Sequence, residues 1–135
     1  MLRTKCIFDP VSTEDGLRIS VMSRHTLEDG ITPDKRIIPG VSYMEHHVEL
    51  APPSTTVGKW YRSSKSETDW DIFTEEYLGH LDKPKQAREV RWLAKFALRR
   101  DVTILCVEPR GERCHRVILS EMCKQMQPAL EVRHV

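Results

Sequence analysis

The sequence predicts an α/β fold, a single compact domain with a small, mostly parallel sheet and flanking helices. Three observations carry that expectation. Residues 101–108, DVTILCVE, are nearly all apolar, as a central strand covered on both faces should be. Residues 66–81 and 84–100 repeat apolar residues at spacings of three and four, the mark of helices with one buried face. The order along the chain is strand, strand, three helices, strand, helix, so its best-defined unit is helix–central strand–helix.

Taken in order, TKCIFD at 4–9 is a short strand closed by Pro10, and the cluster STEDG turns the chain. LRISVM at 17–22 alternates apolar and polar residues and forms a second strand. Residues 28–40 hold two prolines and two glycines and are expected to be an irregular loop. Residues 42–53 have room for a short edge strand before Pro52 and Pro53 stop it. Ser54, Thr55 and Thr56 supply capping oxygens for a short helix ending near Tyr61.

The helix over 66–81 sets Trp70, Phe73, Tyr77 and Leu81 on one face, with Ser66 or Thr68 as its cap. Asp82 is expected to cap the next helix, which starts near Pro84, where the missing N–H costs little. That helix turns Ala87, Val90, Leu93, Ala94 and Ala97 inward, and Arg88, Arg91, Lys95 and Arg99 to solvent. A closing helix over about 113–126 buries Ile118, Leu119, Met122 and Met126. The domain is therefore expected over 1–127, with 128–135 a frayed tail.

Composition excludes several functional classes. Hydrophobic residues at 39% and charged residues at 30% describe a globular chain, not a disordered one. A net charge of +1 announces neither nucleic acid nor a membrane surface, so anion recognition must come from local clustering. No apolar run approaches a membrane span, and MLRTKCIFDP carries no signal core, so a cytoplasmic location is expected. The thiols Cys6, Cys106, Cys114 and Cys123 lack the C-x2-4-C pairing of common zinc sites, so no metal is expected. Cys114–His115 beside Cys106 or Cys123 remains the one candidate chelator. Neither a Gly-Lys-Ser/Thr loop nor G-x-G-x-x-G is present, and no cofactor is expected.

Chemistry concentrates where the last strand meets the last helix. In a parallel sheet, ligands bind beyond the carboxyl ends of the strands. There Cys106, Glu108, Arg110, Arg113, Cys114, His115 and Arg116 crowd within eleven residues. The free N–H groups of the last helix favour an anion, and guanidinium forks such as Arg116 suit phosphate or carboxylate. Cys114 at that helix start, beside His115, is expected to have a depressed pKa, with Glu108 as general base or orienting group. Cys106, on a buried strand, reads as a small hydrophobe. Upstream, Arg18 alternates within the second strand and Arg24 follows its carboxyl end, opening toward the same sheet edge if that strand runs parallel to 101–108; the other reading is that Arg18 and Arg24 make surface ion pairs.

Five blocks in series, FDPVSTEDGLRISV, Arg24, LAPPSTTVGKWY, FTEEYLGHL and VTILCVEPRGERCHRVILSEM, resemble the family catalogued as domain of unknown function 488, from about Ile7 to Met122. The resemblance implies a compact α/β domain with a shared pocket. Its candidate positions here are Arg18, Arg24, Pro53, Ser54, Tyr77, Cys106, Glu108, Cys114, His115 and Arg116. One version of the family pattern reads Val-Asp-Arg-Leu-Trp-Pro-Arg-Gly where this chain runs from Met22 to Gly30; the carboxylate before Arg24 is absent and the loop is longer.

Two functions remain open on the sequence. One is an enzyme acting on a small phosphorylated or nucleotide-like anion, with Cys114, His115 and Glu108 catalytic and Arg18, Arg24, Tyr77 and Arg116 binding. The other is a non-catalytic module for a small anion, a nucleotide or nucleic acid.

Overall fold

A computed structural model describes residues 1–135. Five strands, β1 (Leu2–Cys6), β2 (Leu17–Ser20), β3 (Glu45–His46), β4 (Val102–Cys106) and β5 (Val132–His134), form one sheet in the order β3-β2-β4-β1-β5. Every pairing is parallel, so all carboxyl ends lie along one edge. The helices are α1 (Ser54–Arg62), α2 (Glu67–Leu81), α3 (Pro84–Arg99) and α4 (His115–Met126). The expected α/β class, with a small parallel sheet and flanking helices, is what the chain adopts. No helix is long and apolar enough to cross a membrane.

Strand alternation divides the sheet into two unlike faces. In register, Leu2 and Leu17 flank Val102, and Thr4 and Ile19 flank Ile104. The apolar members of these rows share one core with Phe73, Tyr77 and Leu81 of α2, Val90, Leu93, Ala94 and Ala97 of α3, and Ile118 and Leu119 of α4. The opposite rows carry Arg3, Thr103 and Arg18, then Lys5, Leu105 and Ser20. None of α1–α4 packs on that side; loops and the short 3-10 turn Thr13–Asp15 do, with Ile7, Met22 and Ile37 packed near Leu105.

Below those loops lies a buried ion network. Asp15 accepts from Lys5 at 3.1 Å and from Arg18 at 2.6 Å, and its backbone carbonyl accepts from Thr103 at 2.7 Å. Arg18 is thus not a surface ion-pair residue. The turn that delivers Asp15 needs Gly16: its φ is +61°, and a Cβ there would stand 2.0 Å from the Asp101 carbonyl oxygen.

Several boundaries differ from expectation for local reasons. β1 starts at Leu2, not residue 4, because Leu2 pairs with Val102 and Val132 on its two sides. Asp82 closes α2 and does not cap α3; Lys83 is the N-cap, with Pro84 opening the helix as expected. Ser66 caps α2 through a reciprocal bond with Asp69. α4 begins at His115, two residues late, because Cys114 is extended. Met122 and Met126 are only partly buried against the core. The tail expected to fray instead adds β5 beside β1 and seals Leu130 to 1% exposure. Its alternating polar residues hid this, since an edge strand covers one face only.

Candidate functional site

β4 ends at Cys106, the chain turns through an exposed loop, and α4 starts one residue after Cys114. The turn folds the two cysteines back on each other around Glu108. Its Oε2 accepts from Cys106 Sγ at 3.0 Å and from Cys114 Sγ at 3.1 Å. Its other oxygen accepts from the Tyr61 hydroxyl at 2.8 Å.

His115 closes the cluster from the first turn of α4. Its Nε2 lies 2.7 Å from the Val21 carbonyl at the end of β2. A carbonyl only accepts, so Nε2 carries a proton, and in the neutral ring Nδ1 presents a lone pair. Nδ1 faces Cys106 Sγ at 3.7 Å and Cys114 Sγ at 4.0 Å. Behind the ring stands Tyr77, edge-on at 5.6 Å, its hydroxyl bonded to the Leu50 carbonyl at 2.5 Å. Arg116 donates to Cys114 Sγ at 3.3 Å and to the Pro109 carbonyl at 3.4 Å, while its Nε is buried without a partner.

Burial governs the electrostatics. Cys106, Cys114, His115 and Arg116 are all buried, and Glu108 is half-buried. Burial alone would push the Glu108 carboxyl up, but the hydrogen bonds from Cys106, Cys114 and Tyr61 outweigh it and hold the group below its ordinary value. The Cys114 thiol moves the other way from the sequence expectation: burial, with Cys106 alongside, lifts it well above its ordinary value. The opposing influence of His115 does not compensate for lost solvation. Burial also opposes a charge on His115, yet the facing Cys114 and Glu108 shift it upward overall. In this geometry both thiols donate to Glu108, and His115 Nδ1 lies within reach of both sulfurs.

The residues singled out from the sequence divide into two groups. Cys114, His115, Glu108 and Arg116 come together. Tyr77 touches the centre only through the back of the His115 ring and is fully buried. Arg18 does not join it. Register sets Arg18 opposite Thr103, an odd number of residues from Cys106, so the two side chains leave opposite faces of the sheet. Arg18 lines a different depression with Phe8, Arg36 and Ser42. Arg24, although it follows a strand parallel to β4, is exposed and donates to the Gly30 carbonyl in its own loop.

One participant was read from its strand position as core, and one was missed. Cys106 is buried, as expected of a strand residue, but at the last position of β4 its thiol faces the cluster and not only the core. The signal was its place at the carboxyl end of the strand. Tyr61 reaches Glu108 across 47 residues of sequence, and no spacing rule announces such a contact.

A parallel five-stranded sheet with a thiol–carboxylate–imidazole cluster at its carboxyl edge defines an α/β protein with a cysteine-rich candidate centre. The chain belongs to the domain of unknown function 488 family: the model of its active DUF488-N3 subclade matches residues 2–127. No curated protein and no solved structure matches the chain.

Proposed function

We propose that the chain is an enzyme working through the Cys114 thiol on a small substrate that carries a phosphate or similar anion. One observation supports this most: Cys114 Sγ meets a carboxylate acceptor at 3.1 Å and a guanidinium at 3.3 Å, at the N-cap of α4. Nucleophilic catalysis by a thiol calls for a proton acceptor and a fixed positive charge near the developing thiolate. Glu108 takes the Sγ proton, and Arg116 with the first N–H groups of α4 holds the negative charge. The thiolate attacks an electrophilic carbon or phosphorus, and the leaving group departs with the proton from Glu108. Water then cleaves the sulfur-linked intermediate. His115 Nδ1 is the alternative proton acceptor, and Val21 fixes its tautomer.

Glu108 also weighs against a bare anion clamp. An ionised carboxylate bonded to both thiols repels a second anion until it gains a proton, which is the role of a general base. A binding-only reading keeps one observation in its favour, the unpartnered Nε of Arg116. Turnover of a panel of nucleotides and sugar phosphates separates the two readings. Cys114→Ser should abolish turnover by at least about 100-fold, and Glu108→Gln should lower kcat, consistent with the loss of an acid–base group. Full activity in Cys114→Ser would end the catalytic reading. Phosphate-dependent shielding of Cys114 from iodoacetamide, without any turnover, would support the binding-only one.

A further inference from the structure

The same cluster has a property the thiol mechanism does not use. We propose that Cys106 Sγ, Cys114 Sγ, His115 Nδ1 and Glu108 Oε2 form a binding site for a divalent cation of the zinc class. The sulfur and nitrogen atoms of Cys106, Cys114 and His115 all lie within 4.8 Å of one another. Oε2 of Glu108 stands 3.0 and 3.1 Å from the two sulfurs.

Zinc bonds of about 2.3 Å to sulfur and about 2.0–2.2 Å to nitrogen or oxygen make a tetrahedron with edges of roughly 3.5–3.8 Å. The sulfur–nitrogen edges here are 3.7 and 4.0 Å. A few tenths of an ångström of contraction on those edges, and slightly more expansion at the two Glu108 edges, brings these four distances to those of a zinc shell.

Two further features suit a metal. Metal-binding histidines almost always donate the remaining N–H to a carbonyl or carboxylate, which fixes the tautomer. Nε2 of His115 does so to Val21 at 2.7 Å, leaving Nδ1 directed at the sulfurs. Charge also balances. A divalent cation displaces both thiol protons to solvent, and two thiolates with the Glu108 carboxylate leave one excess negative charge. Arg116, 3.3 Å from Cys114 Sγ, neutralises it. The site combines two soft ligands with one imidazole and one carboxylate, a set that selects zinc over magnesium or calcium. Spacing named Cys114–His115 beside Cys106 or Cys123 without choosing between them, because Cys106 and Cys114 are separated by seven residues and meet only through the strand–turn–helix fold.

Binding is independent of the catalytic reading, but one consequence rests on it: with metal bound, Cys114 is a ligand, so thiol chemistry stops until the metal leaves. The test strips the full chain with a chelator and titrates it with Co2+, then with Zn2+ against a chromophoric chelator. The expected result is one equivalent of Co2+, with thiolate-to-cobalt charge transfer and the strong visible bands of tetrahedral cobalt, displaced by Zn2+. Cys106→Ser and Cys114→Ser should each weaken Zn2+ by more than the roughly 10–100-fold that loss of an outer-sphere partner costs. Cys123→Ser, outside the cluster, should leave affinity unchanged. Absence of charge transfer in the wild-type protein overturns the site without reliance on any variant. So does a cobalt spectrum that survives both cysteine substitutions. Metal binding together with full turnover by Cys114→Ser would sink the thiol mechanism alone and leave the metal site standing.

Discussion

Replacing Asp15 by Asn removes one charge from the most deeply buried ion network in the protein and leaves the shape almost unchanged. Lys5, Asp15 and Arg18 are 6%, 3% and 3% exposed. Asp15 accepts from Lys5 Nζ with both oxygens at 3.1 Å, from Arg18 at 2.6 Å and from the Ser12 backbone N–H at 3.0 Å. Asn keeps an oxygen for Ser12, so the turn cap survives and the loss isolates the charge. Two cations then stay buried with no carboxylate, and only neutral oxygens, among them the Pro10 and Ser42 carbonyls, accept from them. Breaking one partner of a buried pair costs about 3–5 kcal/mol, a third or more of the stability of many domains. For a chain of this size that lowers the melting temperature by about 10–20 °C. Urea denaturation at neutral pH measures it directly. Adding Lys5→Met to Asp15→Asn should recover part of the loss, because one of the two uncompensated cations is gone.

The pH dependence has a definite sign. Burial alone would raise the Asp15 carboxyl, but the Ser12 N–H, Lys5 and Arg18 outweigh it and lower the pKa from its ordinary 3.8. A lowered folded-state pKa stabilises above the unfolded value, and that contribution fades as pH falls through the folded value. The wild type and Asp15→Asn should therefore differ fully above about pH 4 and converge below it. A loss under about 1 kcal/mol, the cost typical of an exposed pair, would refute the buried-network argument.

Two other outcomes follow from the packing. Leu130→Ala should cost about 2–5 kcal/mol, since Leu130 is sealed into the core and carries β5 onto the sheet; a negligible change in urea midpoint would mean that the tail frays after all. His25 should titrate at about 4, lowered from 6.5 by burial and by the His46 ring 4.1 Å away. Stability from His25 is then complete above pH 6.5 and declines as pH falls toward 4, because only the unfolded chain binds the proton across that interval. Proton NMR titration reads the value, and His46→Asn should move it upward. A His25 resonance titrating at 6.5 beside an intact His46 would contradict the assignment.

Most of the architecture was legible because it rests on local periodicity. The face of Phe73, Tyr77 and Leu81 is buried as its spacing predicts, and 101–108 contains the central strand. Cys114, His115 and Arg116 were legible too, because they are neighbours at a helix start and no register is needed to bring them together. What stayed hidden depends on long-range pairing. β5 looks polar and short in isolation, and only its alignment with Leu2–Thr4 makes it a strand.

The candidate site shows most clearly where a sequence argument loses its hold. β2 and β4 do run parallel, the condition on which grouping Arg18, Arg24 and Cys114 depended. Sharing a strand direction, however, is a weaker condition than sharing a face. A side chain's face depends on whether its register partner is an odd or even number of residues from the reference position, and a one-residue slip reverses the answer. Arg18 pairs with Thr103, so it turns toward Asp15 and the loop-covered side, while Cys106 turns toward His115. Had the register differed by one, a second guanidinium would turn to the face of the thiols, and the charge balance that favours a metal there would change. The absence of Arg18 from the cluster is therefore part of its chemistry: one guanidinium, from Arg116, matches the single negative charge that two thiolates, Glu108 and a divalent cation leave over.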